Sequence, residues 1–541
     1  MKKNSFLEGA FIATASVVLC KVLGLIYVIP FYGIVGELGG ALYSYAYSIY
    51  AIFLSLATVG IPTAISKIVS EYNALDLQYV KNKAYKIGSK IMVALGLVVF
   101  LVLFIFAPQI AHLIKGDAIG GNSLKDVTIV IRAVSTALLI VPISSVRRGY
   151  LYGHNFISVP QFSNVIEQVV RVAVVVIGSF VAYKVLHLSL TTAVTIAVLG
   201  ATFGALISYF YVDRRIKANR HQFHVDAVIT ESEKKFNSKL LFKKIVIYAL
   251  PFVLIDLIRS AYSTIDVLSI VTTLTDLGFS VFDAENVMGI ISTWASKIIM
   301  IVTSVSIGIT ASLVPNIMPS FVKKDYQEVN RKTNMIMQFL IVLIVPMTIG
   351  LSFLAYPVWN AFYGFNAIGV NILGLYVYLS LTLSFQSVLI EIAQIMNNTR
   401  LTITTLSLGV IIKLALNVPM MYFLSYIGVA PYYGTTIASL ISQVITIVFL
   451  LVALKKKYGF NYHKTNRILV KTLISCGVMV VALLGLSIVV PLDVTNRFMS
   501  IVVCGVYGIV GGVVYYIVAA YFGIIPKFPA IIKMVKERFK K

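Results

Sequence analysis

Acidic residues are scarce in this 541-residue chain, where 21 Asp and Glu face 45 Lys and Arg. Charged residues of either sign make up only 12% of it. Soluble domains carry about 25%, so an ordinary soluble domain is excluded. The three cysteines, Cys20, Cys476 and Cys504, all lie within apolar segments. They read as small core residues, not as disulfide partners or metal ligands. The six histidines are scattered. There is no GxxxxGK[ST] loop, no HExxH and no Cys/His cluster with metal spacing, so ATP hydrolysis by this chain, a metal and a cofactor are not expected. No polar stretch is long enough to hold a separate enzyme domain.

What the chain has is apolar length. Hydrophobic residues make up 59% of it, and the mean hydropathy is +0.92. Runs of roughly 20 apolar residues, enough to cross a bilayer core, recur from end to end. The fold class predicted is therefore all-α, a polytopic membrane protein, since helices satisfy their own backbone in lipid. The alternating pattern of a membrane β-barrel is absent. Lys2, Lys3 and the apolar run after them resemble a signal peptide, but the run continues to about residue 36 without a small-residue cleavage site. It reads as a retained first helix.

Fourteen spans are predicted, near 9–36, 41–64, 88–110, 127–151, 160–183, 190–212, 244–271, 286–314, 335–355, 370–395, 402–424, 432–453, 468–490 and 498–523. The cations support this count by falling in every second gap. One set of gaps holds Lys81, Lys83, Lys86 and Lys90, then Arg147 and Arg148, then a run from Arg214 to Lys244. It continues with Lys323, Lys324, Arg331 and Lys332, then Arg400, then Lys455 to Lys471. The alternate gaps hold only Lys115, Lys125, Lys184 and Arg497. By the positive-inside rule the first set and both termini are cytoplasmic, and most of the net charge of +24 is topology.

A polar stretch divides the spans six and eight. Likenesses between "LATVGIPTAIS" and "SVSIGITASLV", "FAPQI" and "AYPVW", and "GATFGALIS" and "GTTIASLIS" keep their order across it. They point to two six-helix lobes in a parallel pseudo-twofold repeat. The organisation predicted is a lobe over 1–212, a basic cytoplasmic linker over 213–243, a second lobe over 244–455, and two extra helices with a basic tail over 456–541.

Charges inside spans are costly, about 2.5–3.5 kcal/mol at a helix centre, and usually face a bundle interior or a water-filled cavity. Glu167 and Arg171 are four apart and Asp256 and Arg259 three apart, spacing at which each pair can meet on one helix face. Lys21, Lys297 and Lys413 have no acid three or four positions away. Any partner must come from another helix or from a ligand. Arg132, near a span start, fits snorkelling toward the interface. Lys21 and Lys297, one from each half, are the expected lining of a cationic cavity for an anionic group such as a phosphate. Asp266 and Glu391 stand open between carrying a proton or ion and pairing with Lys413. Gly149–Gly153 and Gly200–Gly204 have the small-xxx-small spacing of close helix contacts.

The fourteen spans, the repeat, and "KVLGLIYVIPFYGIVGELGGALYSYAYSIYAIFLSLATVGIPTAISK", "RGYLYGHN" and "VIEQVVRV" resemble the MurJ-type lipid II flippases. They resemble still more the stage V sporulation B-like polysaccharide biosynthesis branch of the multidrug/oligosaccharidyl-lipid/polysaccharide exporter superfamily. The resemblance implies two lobes around a cavity for the headgroup of an undecaprenyl-pyrophosphate-linked saccharide, with a groove by the last two helices for its lipid tail. It implies peptidoglycan synthesis, cell shape and a bacterial cytoplasmic membrane as the setting, with lipid II, membrane lipids and the cell-wall machinery as partners. The family's first-helix and eighth-helix arginines map to Lys21 and Lys297. Its other basic positions map to Tyr27 and to Leu54 or Ser55, which lowers the cavity's charge. Some relatives place sodium among helices seven, eleven and twelve. Here Lys413 and Asn417 stand in the helix-eleven region, and a fixed lysine charge is expected in its place.

The favoured reading is lipid II translocation by alternating access. The alternatives are a flippase for a capsule or exopolysaccharide unit, and a multidrug antiporter, which would have an acid-dominated site. A glycosyltransferase or polymerase would need a carboxylate-rich outer loop, for which Asp276, Asp283 and Glu285 are the candidates.

Overall fold

The computed structural model describes residues 6–58, 60–116, 121–224, 233, 236–396 and 398–525; the basic tail lies outside them. The long apolar runs fold as helices, with no strand among the described residues. In chain order the first are α1 (Phe6–Ile26), α2 (Val28–Thr58), α3 (Gly60–Ala74), α4 (Gln78–Ile105), α5 (Ala107–Lys115), α6 (Leu124–Ser135) and α7 (Val141–Gly153). Then come α8 (Ser158–Ala173), α9 (Leu190–Ala218), α10 (Ser238–Asp276) and α11 (Val281–Gly289). The remainder are α12 (Ala295–Val322), α13 (Tyr326–Phe353), α14 (Ala355–Tyr363), α15 (Ala367–Tyr376), α16 (Tyr378–Ile395), α17 (Thr399–Tyr426), α18 (Tyr433–Tyr458), α19 (His463–Val489) and α20 (Arg497–Tyr521).

Twelve helical stretches among the described residues are long and apolar enough to cross a membrane, against the fourteen predicted. The first and seventh predicted spans are the two outside that set. The first is interrupted, because the chain turns at Tyr27 and is kinked again at Gly36, whose φ of 66° and ψ of −165° are not helical. Over the seventh lies α10, 39 residues long with Asp256, Arg259 and Asp266 along it.

The described chain forms two compact units, Met1–Trp294 with Lys413–Pro431, and Ala295–Ile412 with Tyr432–Lys541. These boundaries differ from the expected lobes. Helices α10 and α11, expected to open the second lobe, pack on α2 in the first unit. The last two helices, expected outside the repeat, belong to the second unit. The start of the linker is tied to the first unit, where Phe223 is buried and Asn82 Nδ2 donates to the His224 carbonyl at 2.7 Å.

Within the first unit glycine sets how closely helices approach. A Cβ on Gly149 of α7 would stand 2.4 Å from the Pro62 carbonyl oxygen of α3, and one on Gly204 of α9 would stand 2.6 Å from the Glu167 carbonyl oxygen of α8. Backbone is in the way at both, so no side chain can swing aside. We predict that Gly149→Val costs at least 1–3 kcal/mol of overpacking. A lower melting temperature for the detergent-solubilised variant would show it; unchanged melting would contradict the tight α3–α7 seam.

Prolines leave carbonyls without an amide partner, and side chains take their place. Pro108 cannot bond Phe104, and Arg132 Nε donates to that carbonyl at 3.1 Å. Pro346 cannot bond Val342, and the Tyr515 hydroxyl of α20 donates there at 2.8 Å. Arg132 therefore has a structural partner as well as a place near a span end.

Candidate functional site

The intramembrane charges of the first unit fall into separate groups. Lys21 is half-buried on α1, a helix that packs along α8. Past the turn, Tyr27 is buried with its hydroxyl 3.3 Å from that of Tyr43 on α2. Around them is an aromatic cluster: Phe31 meets Tyr43 edge-on at 4.9 Å, and Trp294 meets Tyr32 edge-on at 5.1 Å. The position that the resemblance aligns with a cation is thus a neutral hydroxyl set among rings.

Glu167 and Arg171 form an ion pair at 2.9 Å along α8. The same carboxylate also takes Arg148 of α7 at 2.6 Å. Arg148 is held inward because its Nε donates to Ser163 at 3.0 Å and its Nη2, the nitrogen that meets Glu167, also donates to Ser208. One acid between two guanidiniums leaves a positive excess in the interior of this unit. Sequence spacing assigned Arg148 to a loop, and only its place in "RGYLYGHN" marked it out.

The expected pairing of Asp256 with Arg259 does not form. The Asp256 carboxylate instead accepts from Ser55 of α2 at 2.5 Å, and Arg259 is exposed. The reason is packing: α10 lies against α2, which turns Asp256 toward a neighbouring hydroxyl and leaves Arg259 outside. Ser55, expected among the cavity residues, is therefore committed to an acid.

Asp266 of α10 does pair with Lys413, at 2.6 Å, and both are buried. The Lys413 ammonium lies 5.5 Å from the Tyr262 ring centroid, and Asn417 donates to Ser269 at 2.8 Å. A buried carboxylate already neutralised by an ammonium does not fit a sodium ion. Among the described residues no group of three or more His, Cys, Asp or Glu is placed to hold a metal.

Of the three acids considered for catalysis, Asp276 is exposed at the end of α10 and the other two are otherwise engaged. Asp283 accepts from Ser280 at the start of α11, a capping contact. Glu285 is fully buried and accepts from the Asn122 amide at 3.0 Å and its side chain at 2.8 Å, with Lys115 at 3.9 Å. Asn122 also donates to the Leu38 carbonyl, so this knot ties α2, α5 and α11 together.

In the second unit Lys297 is half-buried on α12, three residues past the π-helical turn Ile290–Trp294, and Glu391 is half-buried on α16. An apolar groove of about 360 Å³ runs between α12, α13, α19 and α20, lined by Val342, Pro346, Met479, Leu483, Tyr507 and Tyr515 among others. Its wall includes the two last helices, where a lipid tail was expected.

Residues 6–321 match the family described as polysaccharide biosynthesis protein. The lipid II flippase MurJ of Bacillus subtilis (strain 168) is 30% identical over 97% of this chain and 96% of its own length. Stage V sporulation protein B of the same organism is 25% identical over 62% of this chain and 63% of its own. Among solved structures, a lipid II flippase MurJ in an inward closed conformation has a TM-score of 0.65 at 16% identity, covering 95% of this chain and 98% of the other. An inward-facing multidrug resistance transporter of the MATE family has the same TM-score at 13% identity, covering 81% of this chain and 96% of the other.

Proposed function

The chain belongs to the polysaccharide biosynthesis protein family, and from that membership we propose that it is a lipid II flippase. It is a multi-pass membrane transporter and not an enzyme. It moves an undecaprenyl-pyrophosphate-linked saccharide across the cytoplasmic membrane for peptidoglycan synthesis. The observation that carries this reading is the match to a lipid II flippase over nearly the whole of both chains.

The physical task is set by the cargo. A pyrophosphate and its sugars cannot cross hydrocarbon unaided, because desolvating the charge costs many kcal/mol. Lys21 and Lys297 each supply a cation that stands in for lost water at the phosphates. At the family's other basic positions this chain has the Tyr27 hydroxyl, buried beside Tyr43, and Ser55, whose hydroxyl is given to Asp256. The groove of the second unit receives the prenyl chain. Lys413 holds a fixed charge against Asp266 in place of a bound cation. The connections rich in Lys and Arg, and both termini, face the cytoplasm, where cell-wall enzymes supply the cargo.

A flippase for another lipid-linked oligosaccharide is the second reading, favoured by Tyr27 and Ser55 where the family has cations. Complementation separates the two. This chain restores growth to a strain depleted of its own lipid II flippase; rescue of a capsule-flippase mutant alone would reassign the cargo.

A further inference from the structure

The first unit holds a guanidinium that its acids do not fully engage. Arg148 and Arg171 share the one carboxylate of Glu167, and the two are not equally committed. Arg148 donates from Nε to Ser163 and from Nη2 to Glu167 and Ser208. Arg171 donates from Nη2 to Glu167 at 2.9 Å, while its Nε is buried and finds no hydrogen-bond partner among the described residues. The Tyr50 hydroxyl of α2 is also buried, and among the described residues it too finds none. Arg171 interacts electrostatically with Tyr50, and with Tyr43 and Tyr47 on the same helix. Buried polar groups are normally paired, because leaving one dry and unbonded is costly. A guanidinium nitrogen and a hydroxyl left over in one neighbourhood therefore point to an acceptor that the protein does not itself supply.

Charge and placement say what that acceptor is. Two guanidiniums against one carboxylate leave a net positive charge, so the acceptor is an anion. A guanidinium and a phenol hydroxyl match the oxygens of a phosphate, which accept several hydrogen bonds at once. The side chains of Arg148, Glu167 and Arg171 each keep 13–15% of their surface open, so the group is not sealed. It also lies beside the segment of α1 that bears Lys21. A Cβ on Gly24, about one turn beyond Lys21, would stand 3.4 Å from Gln168 Nε2, and Gln168 is about one turn before Arg171 on α8. An ammonium and a guanidinium thus come from neighbouring helices of one unit.

We propose that Arg171 and Tyr50 together bind a phosphate of the lipid-linked cargo. This rests on the flippase reading and adds two residues to Lys21 and Lys297. The test measures binding of undecaprenyl pyrophosphate to purified full-length protein by native mass spectrometry, with melting followed in the same detergent. Arg171→Gln weakens binding about tenfold, the loss expected for one hydrogen bond to a charged group. Tyr50→Phe weakens it about two- to tenfold, as for a neutral hydrogen bond. It leaves melting unchanged, because that hydroxyl has no partner to lose among the described residues. Glu167→Gln with Arg171→Gln strands neither member of the ion pair, so it melts near the unmodified protein and binds as weakly as Arg171→Gln. Full affinity in this double variant would make Arg171 a counter-ion of Glu167 alone and overturn the proposal. So would full affinity in Tyr50→Phe. If the unmodified chain itself does not bind, the cargo reading falls and this assignment with it. If it binds and the variants bind equally well, this assignment falls alone.

Discussion

Lys297→Gln reduces lipid II transport about ten- to hundredfold while expression and folding stay unchanged. The magnitude follows from the net worth of a hydrogen bond to a charged group, roughly 1.5–3 kcal/mol, with 1.4 kcal/mol a factor of ten. Lys297 is half-buried in the first turn of the apolar helix α12, so its ammonium is incompletely hydrated and its loss is not screened as at a surface. Lys297→Arg keeps the charge and retains part of the activity, because a guanidinium differs from a compact ammonium in shape and hydration. Growth of a depleted strain carrying each variant reads the result. Normal growth with Lys297→Gln would remove this residue from the cargo path.

Lys413→Ala has the largest expected effect on folding. It leaves the Asp266 carboxylate buried without its cation, and breaking such a pair costs about 3–5 kcal/mol. The double variant Lys413→Met with Asp266→Asn removes both charges and recovers most of that loss, since a buried pair owes little net stability to its own attraction. Thermal melting of the three proteins in one detergent separates the outcomes. If the double variant melts as low as Lys413→Ala, Lys413 is stabilising through packing and not through Asp266. If it is stable yet inactive in complementation, the pair has a role in transport as well as in folding.

Much of the architecture was legible because membrane chemistry writes it into composition. Helices in lipid must be long and apolar, so most predicted spans coincide with helices, and the glycine pairs of α7 and α9 do sit where backbones nearly touch. Most of the misses have one cause. Sequence spacing shows partners on the same helix, as with Glu167 and Arg171, but is blind to partners from another. Asp256 was paired with Arg259 by its spacing, yet its partner Ser55 is 201 residues away. Arg148 was counted as a loop cation, yet it shares Glu167. The Glu285 knot drew ligands from α5 and the segment after it, beyond the reach of any local pattern. The helix breaks at Tyr27 and Gly36 were likewise hidden within an unbroken apolar run.

The most direct measurement of the central claim is lipid II translocation in proteoliposomes holding only this protein. Lipid II labelled on its headgroup is placed in one leaflet, and its appearance in the other is followed with a membrane-impermeant quencher. The account predicts transfer by the unmodified chain and its loss with Lys21→Gln and Lys297→Gln together. Transfer no faster than in empty vesicles, from protein that is folded and inserted, would contradict it.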